Sequence, residues 1–417
     1  MGVGSSEKLD VRSTDMSATR SNEAAVLVPG LEHGGGVPRV ADFVGWNLKR
    51  LGYSVTLISL ATSRADSHST TLTRPSSLFR APLVTDVTIN DLTYLHAGSR
   101  LREVELLRYA PRHELTERLK EFDIVQMVAG FPAWAMVLSG ARQRAFLQVA
   151  TTVALERATE RPRFSLLSRP YRTLSNALAS RLDRRAVSVP AHVFTENSHM
   201  QDWVSRNRRG ETSVSLVPPG IDTNYFLPRG PWRPDGPLIS VGRLGDPRKG
   251  WARLIEAYAE ARRVMKVPPL LLVGSGQLES HVDKQIVELS LSDAVHVESD
   301  VTDDALLTLL QASSLFVQTS YEEGLGIAAL EAMSCGLPVV ATDTYGARQY
   351  VRDGVTGFRL PQGHGLAGSF GRSVAIVLGG DGPTMSLHAR RLVEQTYDRF
   401  VCGDQFATTY ARAADHE

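Results

Sequence analysis

Residues 321–340 read YEEGLGIAALEAMSCGLPVV. A short apolar run, LFVQTS (315–320), precedes this stretch, and a second run, PVVATD (338–343), overlaps its end. Both runs have the length and composition of buried β-strands. The residues between them predict a helix that begins near Gly326, after a loop that contains glycine. A strand, a helix and a second strand in this order form a unit whose strands are parallel.

The same alternation of apolar runs and amphipathic segments continues through most of the chain. In the N-terminal half, a helix begins at Val37 and the predicted strands are 24–30, 53–60, 122–128, 144–153 and 192–197. In the C-terminal half, the strands preceding the two runs above are 238–243, 270–275 and 294–299. Regular alternation of this kind predicts an α/β fold with parallel sheets that helices cover on both faces. We predict no element between Arg64 and Arg118.

The chain is too long for one hydrophobic core, because 417 residues exceed what a single domain usually supports. The segment 215–237 contains six prolines and no periodicity, which is typical of a domain boundary. Parallel sheets bind ligands at the carboxyl ends of their strands, so we expect the site in the cleft between two domains. The predicted parts are a disordered tail (1–22), an N-terminal domain (23–214), a linker (215–237), a C-terminal domain (238–385) and a C-terminal helix that packs back on the first domain (386–417).

Composition argues against several classes of protein. The formal net charge is +1, which gives no electrostatic reason to expect a nucleic-acid partner. Cys335 and Cys402 are too few for a disulfide framework or a tetrahedral zinc site. The longest weakly polar run, 129–141, is shorter than the roughly 20 residues that span a bilayer, and residues 1–22 lack the apolar core of a signal peptide. We therefore expect a cytoplasmic protein.

Three segments contain residues suited to binding a phosphorylated ligand. The first is HGGG (33–36), which follows the first predicted strand. Its consecutive glycines allow backbone N–H groups to approach a phosphate or a sugar, and the helix that follows favours negative charge. The alternative interpretation is a flexible turn between a strand and a helix.

The second segment is VGRLGDPRKG (241–250). Arg243 follows a predicted strand and Lys249 precedes a helix, so both side chains could enter the cleft and bind a diphosphate. The alternative interpretation is a solvated basic loop.

The third segment contains Glu323 and Glu331. With a helix beginning near Gly326, Glu323 lies in the preceding loop and Glu331 just over one turn inside, with the free amides of Gly326 and Ile327 between them. Carboxylates there could accept hydrogen bonds from sugar hydroxyls. The alternative makes Glu323 a partner of the helix dipole and Glu331 an exposed residue, although the neighbours of Glu331 are apolar. Glu322 is predicted to be a surface or structural residue.

The spacing of these glutamates resembles the E-x7-E signature of retaining GT-B glycosyltransferases, most closely glycosyltransferase family four. Other motifs of that family occur in the expected order. They are Gly35-Gly36, Pro218-Pro219-Gly220-Ile221-Asp222, Val241-Gly242-Arg243-Leu244 with Lys249-Gly250, Val273-Gly274-Ser275-Gly276 and Asp353-Gly354-Val355-Thr356-Gly357-Phe358.

The resemblance implies the GT-B fold, in which two Rossmann-like domains face a central cleft, and a nucleotide-sugar donor without a further cofactor. Arg243, Lys249 and Glu323 would be catalytic: the two cations would hold the diphosphate, and Glu323 would face the donor sugar. Glu331 would accept hydrogen bonds from the ribose. The other implied donor-binding residues are Gly35, Gly36, Gly324, Leu325, Gly326, Ile327 and Ser299, the last from the 298–301 segment near the nucleobase.

The implied reaction is transfer of a hexose-type sugar with retention, with UDP favoured as the nucleotide and GDP next. No D-x-D tripeptide occurs in the sequence, so we expect no metal and a leaving phosphate stabilised by Arg243 and Lys249. Many relatives carry a histidine in the N-terminal domain, but this chain has none between His113 and His192. Thr151 or Thr152 occupies the corresponding region. Pro219 and Tyr345 also depart from the family pattern.

The acceptor is less constrained by the sequence. Eight arginines lie between Arg157 and Arg185, against Glu160 and Asp183. This segment could contact an anionic membrane peripherally, surround an anionic soluble acceptor, or form a solvated helix pair. We favour a small specialised metabolite as acceptor, as in bacterial antibiotic biosynthesis. The alternatives are a membrane lipid or cell-envelope polysaccharide precursor as acceptor, a nucleotide-sugar epimerase or sugar phosphorylase of the same architecture, and a non-enzymatic sensor.

Overall fold

A computed structural model describes residues 22–31, 35–89, 92–141, 145–158 and 169–414. Within these ranges the chain forms two sheets, one in each half, joined by an irregular segment between Val217 and Pro237. The predicted tail, apart from Asn22, lies outside the described residues, as do His33 and Gly34 of the glycine cluster. The expected α/β class with two predominantly parallel sheets is confirmed.

The N-terminal sheet has the strand order β3-β4-β2-β1-β5-β6-β7-β8, and β3 is antiparallel to β4 while the other pairs are parallel. Its strands are β1 (Glu23–Pro29), β2 (Ser54–Leu60), β3 (Val84–Ile89), β4 (Leu92–Ala97), β5 (Ile124–Ala129), β6 (Ala145–Val149), β7 (His192–Thr195) and β8 (Ser213–Leu216). The helices are α1 (Gly36–Arg50), α2 (Glu105–Arg108), α3 (His113–Leu119), α4 (Val153–Glu156), α5 (Arg169–Ala186) and α6 (Ser198–Asn207), with 3-10 turns at Pro75–Phe79 and Pro132–Leu138.

The C-terminal sheet is entirely parallel, in the order β11-β10-β9-β12-β13-β14. Its strands are β9 (Leu238–Val241), β10 (Leu270–Gly274), β11 (Val295–Ser299), β12 (Leu315–Gln318), β13 (Val339–Thr342) and β14 (Gly357–Leu360). The helices are α7 (Trp251–Val264), α8 (Ser280–Glu288), α9 (Asp303–Ala312), α10 (Ile327–Ser334), α11 (Ala347–Tyr350), α12 (Leu366–Ile376), α13 (Gly382–Thr396) and α14 (Arg399–Ala414). A 3-10 turn covers Pro247–Lys249, and a π-helical turn covers Val377–Asp381.

Alternate residues of the central strands supply two separate cores. Along β1, Ala25 and Leu27 pack into one core, while Ala24, Val26 and Val28 pack into the core on the other face. Because helices cover both faces, neither set can be polar, and the strand is a continuous apolar run. This is why the parallel strands were recognisable in the sequence.

In each sheet the chain order reverses beside the first strand. The strands that flank this point are β1 and β5 in the N-terminal sheet and β9 and β12 in the C-terminal sheet. Loops that leave such neighbouring strands diverge to opposite faces and open a crevice at the carboxyl edge. The glycine cluster follows β1, Arg243 follows β9 and Glu323 follows β12, so the topology directs all three segments towards ligand-binding edges.

The structure differs from the sequence-based elements in four places. The 64–118 segment contains the β3–β4 hairpin and two short helices where no element was predicted, and β8 extends to Leu216, two residues into the predicted linker. The strand β14 was not predicted. The 386–417 segment is not one helix, because its first part belongs to α13, which packs on α10 through Ala389 and Val393.

The last helix, α14, returns to the N-terminal domain. Phe406 is fully buried there, with its ring 4.1 Å from that of Phe194 and 5.5 Å from that of Phe43. The chain therefore passes between the domains twice, and the two passages touch. Ile221 donates its N–H to the carbonyl of Tyr397 at 2.7 Å, and Arg399 donates to the carbonyl of Ile221 at 3.0 Å.

Replacement of Phe406 by alanine should destabilise the N-terminal domain by about 3–5 kcal/mol, because it removes a buried ring from an aromatic cluster. Urea unfolding followed by tryptophan fluorescence measures the change. Phe79→Ala is the matched control, since the Phe79 side chain is 91% exposed and should cost little. Equal midpoints for the two variants would contradict this role of α14.

Candidate active site

The two carboxyl edges face each other across a cleft of about 880 Å³. Its walls include Gly35 and Gly36 from the N-terminal domain and Arg243, Lys249 and the 322–328 loop region from the C-terminal domain. A β-carbon placed on Gly35 would lie only 3.7 Å from Cδ of Arg243, which shows how closely the opposing loops approach. The structure thus brings most of the predicted site residues together.

Glu323 is buried at the start of the 323–326 turn, where its carboxylate receives three hydrogen bonds on Oε1. The donors are Lys249 Nζ at 2.6 Å, Gln318 Nε2 at 2.8 Å and Ser320 Oγ at 2.7 Å. Two of these donors come from β12 and the residues just after it, and the third crosses from the loop after β9. The ammonium group of Lys249 is therefore fixed at the cleft wall, and its remaining N–H groups can bind an anion.

Arg243 and Arg248 share the carboxylate of Asp246, at 2.7 Å and 2.8 Å respectively. Although burial opposes ionisation, the hydrogen bonds and charge of Arg248 hold the pKa of Asp246 well below its usual range. Arg243 is the more accessible of the two, since its side chain is 46% exposed. Asp246 therefore orients Arg243 at the cleft mouth without covering it.

The same Arg248 guanidinium also contacts carboxylates on both domains. Its Nη1 lies 3.3 Å from Glu156 of the N-terminal domain and 3.7 Å from Glu322. Burial and the neighbouring Glu323 raise the pKa of Glu322 to about 7, against the attraction of Arg248. The prediction that Glu322 lies at the surface is therefore wrong, because this side chain is largely buried in the cleft wall. The alternative, a structural role, agrees with its contact with Arg248.

Glu331 is buried on α10 and faces the N-terminal domain. Arg39, in the first turn of α1, places Nη1 at 3.4 Å from Glu331 and Nη2 at 2.6 Å from Asp303. Burial raises the pKa of Glu331 to about 7, while the charge of Arg39 opposes that rise. The carboxylate is thus available at the cleft wall but is engaged by a cross-domain cation.

The loop between the two glutamates brings main-chain groups into the cleft. Gly326 has a φ of 93°, and a β-carbon there would lie 2.4 Å from the Tyr350 hydroxyl, so only glycine fits. Because α10 begins at Ile327, the amides of Ile327 and Ala328 precede the first hydrogen bond of the helix, which Ala329 donates to the carbonyl of Gly326 at 3.0 Å. Ile327 and Ala328 both line the cleft. Leu325 is buried and anchors the loop.

Asn197 connects this loop to the N-terminal domain. Its Nδ2 donates to the carbonyl of Gly324 at 2.6 Å and to that of Ala150 at 2.9 Å, while its Oδ1 accepts from the amide of Met200 and caps α6. A β-carbon on Gly324 would lie 2.5 Å from Cβ of Ala150, so the two backbones meet without room for a side chain.

Two of the residues considered in the sequence, Ser299 and Thr152, do not line the cleft. Ser299 is exposed at the end of β11 and does not line the cleft, whereas Asp300 and Val301 do. The backbone turns sharply at Asp300, whose φ is 54°, and this turn carries the chain into the cleft one residue later than expected. Thr151 lines the cleft, while the hydroxyl of Thr152 accepts the amide of Leu155 and caps α4.

Sequence reasoning missed several residues of the cleft. Arg39 and Arg248 each lie within or beside a quoted motif, and a cation in the first turn after the glycine cluster was the available signal for Arg39. Glu196 directly precedes Asn197, and burial raises its pKa to about 7. Glu105, Arg108 and Tyr109 lie in the segment for which no element was predicted, so nothing in the pattern indicated them.

The arrangement combines two fixed cations, helix N-terminal amides and buried carboxylates at the edges of two parallel sheets. Such a site can bind a diphosphate on the cations and amides, and hydroxyl groups on the carboxylates. Fold and site together define a two-domain α/β protein whose cleft is suited to a phosphorylated ligand.

Models of two families match the chain in the same order as its domains. Glycosyltransferase Family 4 matches residues 34–225, and Glycosyl transferases group 1 matches residues 234–378. Together they cover most of the chain, which belongs to the family-four glycosyltransferases with the GT-B fold.

Curated relatives match over part of their length. An MMP alpha-(1->4)-mannosyltransferase of Mycolicibacterium hassiacum is 31% identical over 38% of this chain and 38% of its own. A D-inositol 3-phosphate glycosyltransferase of Salinispora arenicola is 29% identical over 48% of this chain and 50% of its own. The chain thus matches about half, or less, of the length of these relatives.

Solved structures share the fold over nearly the whole chain. A sucrose-phosphate synthase from Thermosynechococcus elongatus has a TM-score of 0.69 at 18% identity and covers 95% of this chain and 100% of its own. HepE of Anabaena, in complex with UDP-glucose, has a TM-score of 0.64 at 19% identity, and the match covers 93% of this chain and 99% of the HepE chain.

The pKa of Glu331 predicts an unusual dependence of stability on pH. The folded-state pKa of Glu331 is about 7, whereas the ordinary value is 4.5. The contribution of the protonated carboxyl to the free energy of unfolding is therefore fully present below pH 4.5 and is lost as pH rises through 7. At pH 8 the buried charge should cost up to about 3 kcal/mol, which Glu331→Gln should relieve. Thermal midpoints at pH 5 and 8 measure this. The gain should appear at pH 8 alone, and the exposed Glu260→Gln should show none.

Asn197→Asp tests the joint between the domains. Aspartate preserves the cap on α6 but replaces a donor by a carboxylate that faces the carbonyls of Ala150 and Gly324. We expect a more open particle by small-angle X-ray scattering with α6 intact by circular dichroism. Asn207→Asp is the control, because the side chain of Asn207 donates within its own helix, to the carbonyl of Trp203. Unchanged scattering in Asn197→Asp would contradict the role of the joint.

Proposed function

We propose that the protein is a glycosyltransferase that moves a hexose-type sugar, with retention, from a nucleoside-diphosphate sugar to an acceptor. UDP is the favoured nucleotide and GDP the next. The observation that carries the proposal is the fixed Lys249–Glu323 pair beside Arg243 and the free amides of α10. Family membership and the UDP-glucose bound to HepE, a protein of the same fold, support this choice.

The proposed chemistry follows from the charge that develops when the glycosidic bond to the diphosphate breaks. Negative charge grows on the leaving phosphate, and preorganised cations and amides should stabilise it more than they stabilise the ground state. Lys249 and Arg243 supply the cations, and Gly326 and Ile327 supply main-chain amides. Glu323 holds Lys249 in place and faces the donor sugar.

Retention is proposed to occur by attack of the acceptor hydroxyl on the face from which the phosphate departs. The bond between the anomeric carbon and the phosphate oxygen breaks, the bond to the acceptor oxygen forms, and the departing phosphate oxygen takes the acceptor proton. No protein nucleophile is required. Glu331 would bind the ribose hydroxyls after Arg39 shifts towards Asp303, with which it already pairs at 2.6 Å.

A small metabolite is the proposed acceptor. The names of curated relatives include an inositol phosphate and phosphatidylinositol monomannoside, so a membrane lipid is the second candidate acceptor. No helix in the described ranges is both long and apolar enough to cross a bilayer. The described part of the arginine-rich segment consists of residues 157–158 and of helix α5, and residues 159–168 lie outside the described residues.

Nucleotide binding tests the first step of the proposal. UDP should raise the thermal midpoint of the wild-type protein more than GDP, ADP or dTDP do, because only a cognate nucleotide binds the folded state strongly. Lys249→Ala should abolish this shift and reduce turnover of a donor at least a hundredfold, since one preorganised group contributes about that factor. Lys266→Ala is the control, because Lys266 is an exposed lysine outside the cleft.

Product analysis then separates the alternatives. A transferase should form an α-glycoside from an α-linked donor and keep its rate in EDTA. Epimerised donor without an acceptor, or release that depends on phosphate, would instead identify an epimerase or a phosphorylase. Wild-type turnover in Lys249→Ala would overturn the proposed phosphate-binding role.

A further inference from the structure

The charged groups of the cleft are paired with one exception. In the described part of the chain, six lysine and arginine side chains line the cleft, and five of them form an ion pair with a carboxylate. The sixth, Arg108, has no carboxylate within ion-pair distance among the described residues. The five paired side chains are Arg39, Arg157, Arg243, Arg248 and Lys249.

Arg108 ends helix α2, and its guanidinium is only partly satisfied. Nη2 donates to the carbonyl of Arg102 at 2.9 Å, but Nε is buried and has no hydrogen-bond partner. Burial lowers the pKa of Arg108, and the positive charges of Arg64 and Arg157 act in the same direction, against Glu105. A half-buried cation without a counter-ion costs folding free energy, so the site would gain from an anion.

Glu105, the acidic side chain whose charge acts on Arg108, already pairs with another arginine. Glu105, one turn earlier on α2, pairs with Arg157 and accepts hydrogen bonds from the hydroxyls of Tyr109 at 2.9 Å and Ser175 at 3.1 Å. Arg157 in turn donates to Asn176 at 2.9 Å. The network fixes Arg157 and Glu105 to each other and leaves Arg108 without an ion-pair partner among the described residues.

The position of Arg108 separates it from the groups assigned to the donor. It lies on the N-terminal wall beside the aromatic rings of Tyr109, Phe131 and Trp134, with the Tyr109 and Trp134 rings 4.9 Å apart. The cations proposed to bind the donor diphosphate stand on the C-terminal domain. A cleft wall that combines an unpaired guanidinium with aromatic rings suits a small ring compound that carries a negative group.

We propose that Arg108 binds a phosphate or carboxylate group of the acceptor, an assignment that rests on the proposed transferase function. The forked N–H groups of a guanidinium match two oxygens of such an anion, and desolvation strengthens the contact. The acceptor is then an anionic molecule, and this one side chain selects it over its neutral counterpart.

Calorimetric titration in the presence of saturating UDP tests the assignment. The probes are inorganic phosphate, myo-inositol phosphate with myo-inositol as its neutral match, and phosphatidylcholine vesicles with and without phosphatidylinositol. Anionic soluble probes should bind wild type at least tenfold more tightly than myo-inositol does. Arg108→Ala should remove that difference, Arg108→Lys should retain part of it, and Arg118→Ala, which removes an exposed arginine of α3, should leave it unchanged.

The outcomes separate the two hypotheses. Without UDP binding in wild type the transferase proposal fails, and the same anion titration without nucleotide, in the Lys249→Ala background, still tests Arg108. Binding to phosphatidylinositol vesicles alone, lost in Arg108→Ala, assigns the anion to a lipid headgroup. Equal affinities in wild type and Arg108→Ala, or in wild type and Arg108→Lys and Arg108→Gln should the alanine variant not fold, overturn the assignment.

Discussion

The ion pair between Lys249 and Glu323 is the interaction on which the candidate site depends. A buried carboxylate that receives hydrogen bonds from Gln318 and Ser320 still needs a cation, because amide and hydroxyl dipoles do not cancel a full charge in a low dielectric. Lys249 supplies this cation from the loop after β9, the strand that lies beside β12 in the sheet. The pair thereby fixes the loop after β9 against the loop after β12.

Charge compensation then spreads from this pair through the rest of the cleft. Arg248 serves Asp246, Glu322 and Glu156, and the last of these belongs to the other domain. Arg39 does the reverse, reaching from the N-terminal domain to Glu331 and Asp303. The domains are therefore joined by electrostatic contacts in both directions. These contacts line the cleft, so a ligand that binds there competes for groups that join the two domains.

The sequence predicted what local patterns control. Continuous apolar runs such as β1, and the glycine-glutamate spacing at 323–331, specify buried strands and a helix start without reference to distant residues. The hairpin β3–β4 was missed because its residues are mixed in polarity and lie at the edge of the sheet. Ser299 was predicted to line the cleft, which the chain enters one residue later, because the bend at Asp300 has no sequence signature of its own.

Contacts between domains were the least predictable part of the site. Glu322 interacts with Thr151 and Glu156, which lie more than 150 residues earlier in the chain, so its local sequence gave no sign of these contacts. The role inferred for Arg39 likewise depends on its ion-pair partners in the other domain, and the role inferred for Arg108 on the lack of such a partner among the described residues. Pairing of charges across a cleft depends on how two independently folded surfaces meet, which no periodicity records.

The double passage of the chain between the domains has a mechanical consequence. A single linker would let the domains rotate about any axis. Here the N–H and the carbonyl of Ile221 are both hydrogen-bonded to the returning chain, at Tyr397 and Arg399 respectively. Two parallel segments joined in this way resist torsion and bend most easily across their common line. We therefore expect the cleft to open by rotation about this paired segment rather than by twisting of one domain against the other.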